Sequence, residues 1–237
     1  MTHIKMKEPF YNNCENFVMV SSLIKITDAP LNYTHTRSVY THQERFDQTL
    51  NTFATVRKHI PNCKICLIDC SEFSEEETKI LKEQCDYFIN LIDNQELNHT
   101  LRYSPAKALC EALQTSFVIK FINENNICIK NFFKITGRYW LNDEFDYSIF
   151  DNENNVCRLH PTYIDWVLSS FYKLNADGMQ KLYETINDPN NLKMLDSPIS
   201  YEIFLKQFYH TLSDTIFIDK QIGLEQLISV SGERSTM

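Results

Sequence analysis

The chain has 237 residues, enough for one large domain or two small ones with a substantial buried core. Its formal net charge of −8 argues against a general nucleic-acid binder, because such proteins present a basic surface, although a small basic pocket remains compatible with it. Only four glycines occur, and the phosphate-binding patterns GxGxxG and GxxxxGK[ST] are absent, as are GxSxG and HExxH.

Cysteine usage and the lack of long apolar runs favour a reduced, cytoplasmic protein. Cys63 and Cys66 form a CxxC without a second pair, in a predicted strand where residues i and i+3 face opposite sides. We therefore predict free thiols and no zinc site among the eight cysteines. The first residues lack an apolar signal segment, and no run approaches the ~18 apolar residues of a membrane span.

The chain opens with a predicted strand over Asn16–Ile26, which Ser21 and Ser22 interrupt. The two hydroxyls mark either a tight packing point or the place where a base or ribose lies against the strand end. A polar loop of functional length follows and contains Arg37. The capping box from Thr41 to Glu44 then predicts a helix start.

The next segments predict alternating helices and strands. Phe46, Leu50 and Phe53 recur at helical spacing, with Arg45 beside that face. Residues 63–70 read as a strand, residues 74–77 as a second capping box and residues 86–93 as a third strand. The β-α-β-α-β order predicts a parallel sheet with right-handed crossovers. Asp69, near the end of the second strand, either faces a ligand or caps a turn.

A long helix is predicted over Ser104–Asn125, with Pro105 at its first position. Its apolar residues recur at helical spacing up to about Asn125. Lys107 lies in the first turn, where a cation opposes the helix dipole. It is either held there for an anion or simply solvated.

The segment Asn131–Asp143, NFFKITGRYWLND, has the most informative composition. It predicts a buried strand over about Phe132–Tyr139 that ends in a turn at Gly137 and brings Lys134 and Arg138 to the carboxyl edge of the sheet. In open α/β sheets the ligand crevice lies at that edge. The two cations have no acid nearby in sequence, so either an anionic ligand or a distant carboxylate balances them.

The second half predicts a different layer of the same molecule. Strands are expected at residues 156–160, 164–172 and 216–218, and helices at 175–186 and 197–209, the last carrying Glu202. His160 is the histidine placed nearest to a site, or else a satisfied residue at the sheet edge. Gly223 and Gly232 are expected in a polar C-terminal tail.

Several ordered blocks resemble glycosyltransferases of the GT-A class, in particular short polysaccharide-building enzymes of bacteria and large DNA viruses. The blocks cover roughly residues 17–232 and comprise Arg37-Ser38, Glu44-Arg45, Gln48-Thr49, Thr52, the stop at Pro61, FFKITGRYWLNDEF, SPISYEIFLKQF and IGLEQLISVSG. The resemblance implies one domain over 1–237, with 1–15 and 233–237 peripheral. It also implies a Rossmann-like, mostly parallel sheet flanked by helices.

One departure from that class concerns the metal. GT-A enzymes usually end the central strand with a DxD that holds a divalent cation on the donor diphosphate, whereas here the position reads Thr136-Gly137-Arg138-Tyr139. The resemblance therefore implies a site in which Arg138, with Lys134 or Lys107, neutralises the diphosphate. Dependence on Mn²⁺ or Mg²⁺ stays open, because Asp69 or Asp143 could recruit a metal.

The resemblance implies a glycosyltransferase that uses a nucleotide-sugar donor and a glycan acceptor, in the host cytoplasm if the source is viral. The expected donor-site residues are Ser21, Ser22, Arg37, Arg45, Asp69, Lys107, Lys134, Gly137, Arg138 and Tyr139. Inversion needs a general base, for which Glu202 is the first candidate and Asp143 the second; retention would need neither. The alternatives are another α/β nucleotide-dependent transferase and a catalytically inactive nucleotide-sugar-binding or scaffold module.

Overall fold

In the computed structural model, which describes residues 3–6 and 13–237, an eight-stranded mixed sheet carries helices on both faces. Its strands, in spatial order, are β1 (His3–Met6), β4 (Tyr87–Asn90), β3 (Cys63–Asp69), β2 (Asn13–Ser21), β5 (Cys128–Thr136), β8 (Val167–Asn175), β7 (Asn155–Leu159) and β9 (Thr215–Ile218). A second sheet has the order β11 (Arg234–Thr236), β10 (Leu224–Leu227) and β6 (Trp140–Leu141).

The helices connect these strands and cover the sheet. They are α1 (His42–His59), α2 (Glu75–Gln84), α3 (Gln95–Tyr103), α4 (Lys107–Glu124), α5 (Ala176–Asn187), α6 (Pro189–Leu195) and α7 (Tyr201–His210), with a short 3-10 helix at Tyr147–Ile149. No helix of the described residues is both long and apolar enough to cross a bilayer.

The expected β-α-β-α-β order is confirmed in β2, α1, β3, α2 and β4. Strand β2 pairs in parallel with both β3 and β5, and β3 pairs in parallel with β4. The rest of the sheet is mixed, since β8 runs antiparallel to β5 and to β7. Strands β3 and β4 follow on one side of β2, and β5 then pairs on the other side of β2. The strand order therefore reverses between β2 and β5, the position where open α/β sheets bind ligands.

Alternation along the central strands produces two cores, one on each face of the sheet. Phe17 and Phe132 pack on the side of α4, α5 and α7, whereas Val18 and Phe133 pack on the side of α1 and α2. Full burial of each such side chain contributes about 1.5–3 kcal/mol. The central strands are buried on both faces, and that burial gives them their nearly continuous apolar sequences.

Local signals set several element boundaries as expected. Thr41 and Ser74 form complete capping boxes at the starts of α1 and α2. Cys63 and Cys66 face opposite cores, and all eight cysteines are free. The helix predicted over Ser104–Asn125 is confirmed as α4, but the expected start is wrong: α4 begins at Lys107 without a side-chain cap, and Pro105 lies before it, after the end of α3 at Tyr103. Ser104 precedes proline, which disfavours the helical conformation at that residue.

The expectation of a polar C-terminal tail is also wrong. Residues 224–227 and 234–236 form β10 and β11, and β10 pairs with β6 from the centre of the chain. Leu224 and Gln226 are buried there. The pairing partner lies some eighty residues away, so a local pattern of only a few residues carries little signal. Of the segment expected to be peripheral at the other end, residues 1–2 and 7–12 lie outside the described residues.

Candidate functional site

A cleft opens at the carboxyl ends of β2 and β5, where the strand order reverses. Each of its two lobes has a cavity volume of about 110 Å³. The first lobe is lined by polar and charged residues that include Ser21, Ser22, Arg37, Arg45, Gln114 and Ser229. The second lobe includes His160, Trp166, Ser169, Ser170, Glu202 and Gln226. Both lobes share Lys107, Glu111, Thr136 and Arg138.

The turn after β5 is fixed against β2 and α1. Gly137 donates its backbone N–H to the Ser21 carbonyl at 2.9 Å, and its own carbonyl accepts from the Thr49 hydroxyl at 2.8 Å. A Cβ atom at Gly137 would lie 3.2 Å from Cβ of Ser22, tighter than ordinary contact. Glycine is therefore needed for close approach. Its φ is not positive, so the close approach and not the backbone angle is what favours glycine here.

Arg138 is the cation that this turn presents to the cleft. The residue is 8% exposed, its Nε atom has no hydrogen-bond partner, and its guanidinium lies 5.5 Å from the centre of the Tyr139 ring. Within the described part of the chain no carboxylate forms an ion pair with it. Burying a charged group without a partner is costly, so an anion in the cleft would stabilise this arrangement.

Two more arginines shape the first lobe and add positive charge. Arg45 donates to the Leu23 carbonyl from Nε and Nη2, and to the hydroxyls of Ser38 and Ser229 from Nη1. Burial lowers the pKa of Arg45, and the neighbouring Arg138 lowers it further. The repulsion between these like charges is a second reason to expect an anionic ligand.

The Arg37 side chain, in the loop before α1, lines the first lobe and hydrogen-bonds to two backbone carbonyls. Its Nε atom donates to the Ala29 carbonyl at 2.6 Å and Nη2 donates to the carbonyl of Ser104. Burial lowers the pKa of Arg37. The backbone contacts position the side chain, while its charge adds to that of Arg45 and Arg138.

Glu111 is the carboxylate of the first lobe, and two lysines already engage it. Its Oε2 accepts from Lys134 at 3.0 Å, and its Oε1 lies 3.3 Å from Nζ of Lys107. Burial alone would raise the pKa of Glu111, but Lys134 and Lys107 lower it to about 2. The same carboxylate raises the pKa of Lys107, whose side chain is half-exposed at the cleft. Glu111 thus offers no free charge to balance Arg138.

The structure gives Lys134 a different place from the one expected. It is fully buried and also donates to the Thr136 hydroxyl and the Ser169 carbonyl. Burial lowers the pKa of Lys134, and Glu111 opposes that shift. Of the two alternatives for this lysine, the distant carboxylate is the one observed, because α4 supplies Glu111 from outside the segment. Lys134 supports the cleft from beneath and does not line it.

The second lobe also contains the carboxylate of Glu202. Its carboxylate accepts from the Ser169 hydroxyl at 2.6 Å and from the Ser200 hydroxyl at 2.9 Å. The N-terminal turn of α7 carries Glu202, with Ser200 as the N-cap residue. His160 lines the same lobe, and burial lowers the pKa of its imidazole. A carboxylate and a neutral imidazole can both exchange hydrogen bonds with a hydroxyl-bearing ligand.

Two predicted site residues, Asp69 and Asp143, do not line the cleft. Asp69 is fully buried and accepts from the backbone N–H groups of Ile24 and Ser71, so it fixes the turn after β2. Burial raises the pKa of Asp69, and these hydrogen bonds oppose the shift. Asp143 is exposed and pairs with Lys58 at 2.5 Å. Lys58 lies near the end of α1, a rise of about 20 Å from Arg45.

The residues at the cleft do not fit a divalent metal. Among the described residues no group of three His, Cys, Asp or Glu side chains is placed to hold one. Glu111 is engaged by two lysines, and the turn after β5 brings the cation Arg138 to the cleft. Cations in that position repel a metal ion and attract the anion that the metal would otherwise bind.

The sequence identified much of the cleft but missed important members. Among the predicted site residues, those that line the first lobe are Ser21, Ser22, Arg37 and Arg45, those that line the second are Tyr139 and Glu202, and those that line both are Lys107 and Arg138. Glu111 was missed, although its i,i+4 spacing from Lys107 places both on one helix face. Gln226 and Ser229 had no local signal, because only the tertiary fold brings them to the cleft.

No protein-family model matches the chain, and no curated protein is detectably similar to it.

Proposed function

We propose that the first lobe binds the diphosphate of a nucleotide sugar and that the protein is a GT-A-like glycosyltransferase acting on a glycan acceptor. The observation that carries the proposal is the unpaired, buried guanidinium of Arg138 in a lobe that also contains Arg37, Arg45 and Lys107. Of these four cations only Lys107 is paired with the carboxylate that lines the lobe, Glu111, and Lys134 engages the same carboxylate. A diphosphate supplies the missing negative charge, and arginine suits its geometry.

The rest of the first lobe suits a nucleoside. Its apolar side is formed by Leu23, Ile26, Leu31, Tyr33 and Leu101. Flat apolar and aromatic surfaces of this kind accept a base, and the serine hydroxyls at the end of β2 can hydrogen-bond with ribose. The expected mode places the base against this side and the diphosphate against Arg138.

The second lobe would hold the acceptor beside the donor sugar. In an inverting reaction the acceptor oxygen attacks the anomeric carbon, the bond from that carbon to the diphosphate oxygen breaks, and Glu202 accepts the acceptor proton. Negative charge grows on the leaving diphosphate, where Arg138 and Lys107 stabilise it. In a retaining reaction Glu202 would instead position the acceptor. Asp143, the second candidate base, is paired with Lys58 at the distant end of α1.

The proposal is tested by thermal unfolding against a panel of nucleotide sugars and nucleoside diphosphates, with and without Mn²⁺. A ligand that binds the folded state raises the midpoint, by an amount set by its concentration relative to Kd. We expect a shift with at least one nucleotide sugar in the absence of metal. Arg138→Gln should weaken that ligand at least tenfold, because a buried charge-assisted contact is lost.

Lys58→Gln is the matched control, since it also removes one positive charge but on an exposed ion pair far from the cleft. It should leave the shift unchanged. No shift with any nucleotide sugar or diphosphate would overturn the proposal. A shift only with Mn²⁺ would show that carboxylates bind a metal there. Donor binding without sugar transfer or donor hydrolysis would favour the catalytically inactive binding module.

A further inference from the structure

We infer that the second lobe selects an uncharged sugar ring, and that Gln226, His160 and Trp166 hold it. The inference rests on the proposed function and adds the class of acceptor. All three side chains line the second lobe, together with Ser170 and Glu202. None of the three was singled out as an acceptor contact by the sequence.

Gln226 provides the first observation. The residue is 6% exposed, and its side-chain Nε2 is buried without a hydrogen-bond partner. A buried amide that donates to nothing costs about 1–3 kcal/mol, so its retention in a cleft wall points to a ligand oxygen. Gln226 pairs with Ser235 of β11, so the amide is carried by a paired strand.

His160 provides a second polar group, and its hydrogen bonds select one tautomer of the neutral ring. Its Nδ1 atom accepts from the backbone N–H groups of Thr162 and Tyr163, each at 3.1 Å. In the neutral ring Nδ1 therefore carries no proton, and Nε2 carries the N–H. Burial favours the neutral form. The lobe thus has an imidazole N–H as well as the Gln226 amide to donate to the oxygens of a ligand.

Trp166 adds an aromatic surface beside these donors. Its ring lies 5.6 Å from that of His160 and 4.7 Å from that of Tyr163, so the three rings form one cluster at the loop between β7 and β8. The C–H face of a sugar ring packs against such a surface, while its hydroxyls reach the donors and Glu202. An aromatic wall with donors and one carboxylate beside it suits a polyhydroxylated ring.

The charges decide between neutral and acidic sugars. The second lobe contains Lys107 and Arg138 as cations and Glu111 and Glu202 as anions. Glu111 engages Lys107, and the donor diphosphate would engage Arg138. Glu202 accepts hydrogen bonds from serine hydroxyls and forms no ion pair among the described residues, although Lys107 and Lys134 lie close enough to interact with its charge. Its carboxylate is therefore the anion that a ligand in this lobe would meet, and it would repel a uronic or sialic acid.

The test measures binding of free saccharides by ligand-observed NMR at millimolar concentration, with UDP or GDP present to fill the first lobe. The probes are two neutral trisaccharides, maltotriose and cellotriose, and one acidic trisaccharide, trigalacturonate. We expect at least one neutral probe to bind and the acidic probe to bind at least tenfold more weakly. Gln226→Ala and Trp166→Ala should each weaken the neutral probe at least tenfold.

Gln84→Ala, at the exposed end of α2, is the matched control and should leave binding unchanged. Thermal shifts with the nucleoside diphosphates check that each variant is folded and that its first lobe is intact. Preference for trigalacturonate, absence of binding by both neutral probes, or neutral binding that Gln226→Ala and Trp166→Ala leave unchanged would each overturn the inference. Nucleoside-diphosphate binding is measured separately, so its absence would count against the proposed function alone.

Discussion

Glu111 carries the electrostatic balance of the cleft at the scale of single residues. It is largely buried, contacts Lys134 and Lys107, and has its pKa lowered from 4.5 to about 2 although burial opposes the shift. Its two partners differ, because Lys134 is buried and Lys107 is half-exposed. The carboxylate therefore holds a structural lysine and a ligand-facing lysine in one arrangement.

This arrangement predicts a dependence of stability on acid. A carboxylate whose pKa is lowered by folding stabilises the native state above its unfolded pKa, and that contribution is lost as the pH falls from about 4.5 to about 2. The lowered pKa corresponds to about 3 kcal/mol. Glu111→Gln should lose a similar amount at pH 7, measured by urea unfolding, and should show a flatter decline of stability below pH 4.5. An equally steep decline in the variant would contradict this role.

At the scale of elements, the second sheet depends on Gly223, which precedes β10. Its φ is +72°, and a Cβ atom there would lie 2.4 Å from the backbone nitrogen of Phe145. The Gly223 carbonyl accepts from Asn142 at 2.8 Å and so joins β10 to the segment after β6. Gly232 has a similar φ of +76°, but its nearest neighbour is a methyl group of Val39 at 3.3 Å.

The two glycines form a matched pair for substitution. Gly232→Ala should cost about 1–2 kcal/mol, the penalty of a left-handed backbone with a side chain. Gly223→Ala should cost at least about 2 kcal/mol more, because backbone atoms must also move. Denaturant unfolding measures the difference. Equal costs would mean that β10 shifts easily, and its role in holding Gln226 rigidly would then be wrong.

What the sequence predicts at this scale follows from the range of the interactions. The capping boxes at Thr41 and Ser74 and the run around Phe132 act within a few residues, so they mark α1, α2 and β5 correctly. Other features depend on contacts between segments that are distant in sequence. They are the pairing of β10 with β6, the ion pair of Lys134 with Glu111, and the position of Gln226 at the cleft. These were missed because a local pattern carries no information about the distant partner.

At the scale of the whole molecule, a chain with a net charge of −8 presents a cationic cleft. The field of distant acids extends about 30 Å at 0.01 M salt but only about 8 Å at 0.15 M. Charges inside the cleft are screened far less. The effect of a distant charge on anion binding should therefore disappear as the salt concentration rises, whereas the effect of a charge inside the cleft should persist. This difference distinguishes binding in the cleft from a general attraction of the protein surface for anions.

Glu153 provides a test of this difference, because it lies beside Asn175, at the end of β8 away from the cleft. Its carbonyl accepts from Asn175, and the strand rise from Ser169 to Asn175 is about 20 Å. Glu153→Lys removes an exposed pair with Lys130 that contributes little. The substitution changes the net charge by two units at roughly 20 Å from the cleft. At 0.01 M salt it should therefore strengthen binding of a nucleoside diphosphate about twofold, and at 0.15 M it should have no effect. Arg138→Gln should weaken binding at both salt concentrations. Calorimetric titration measures all three proteins, and a Glu153→Lys effect that persists at 0.15 M would contradict local control by the cleft.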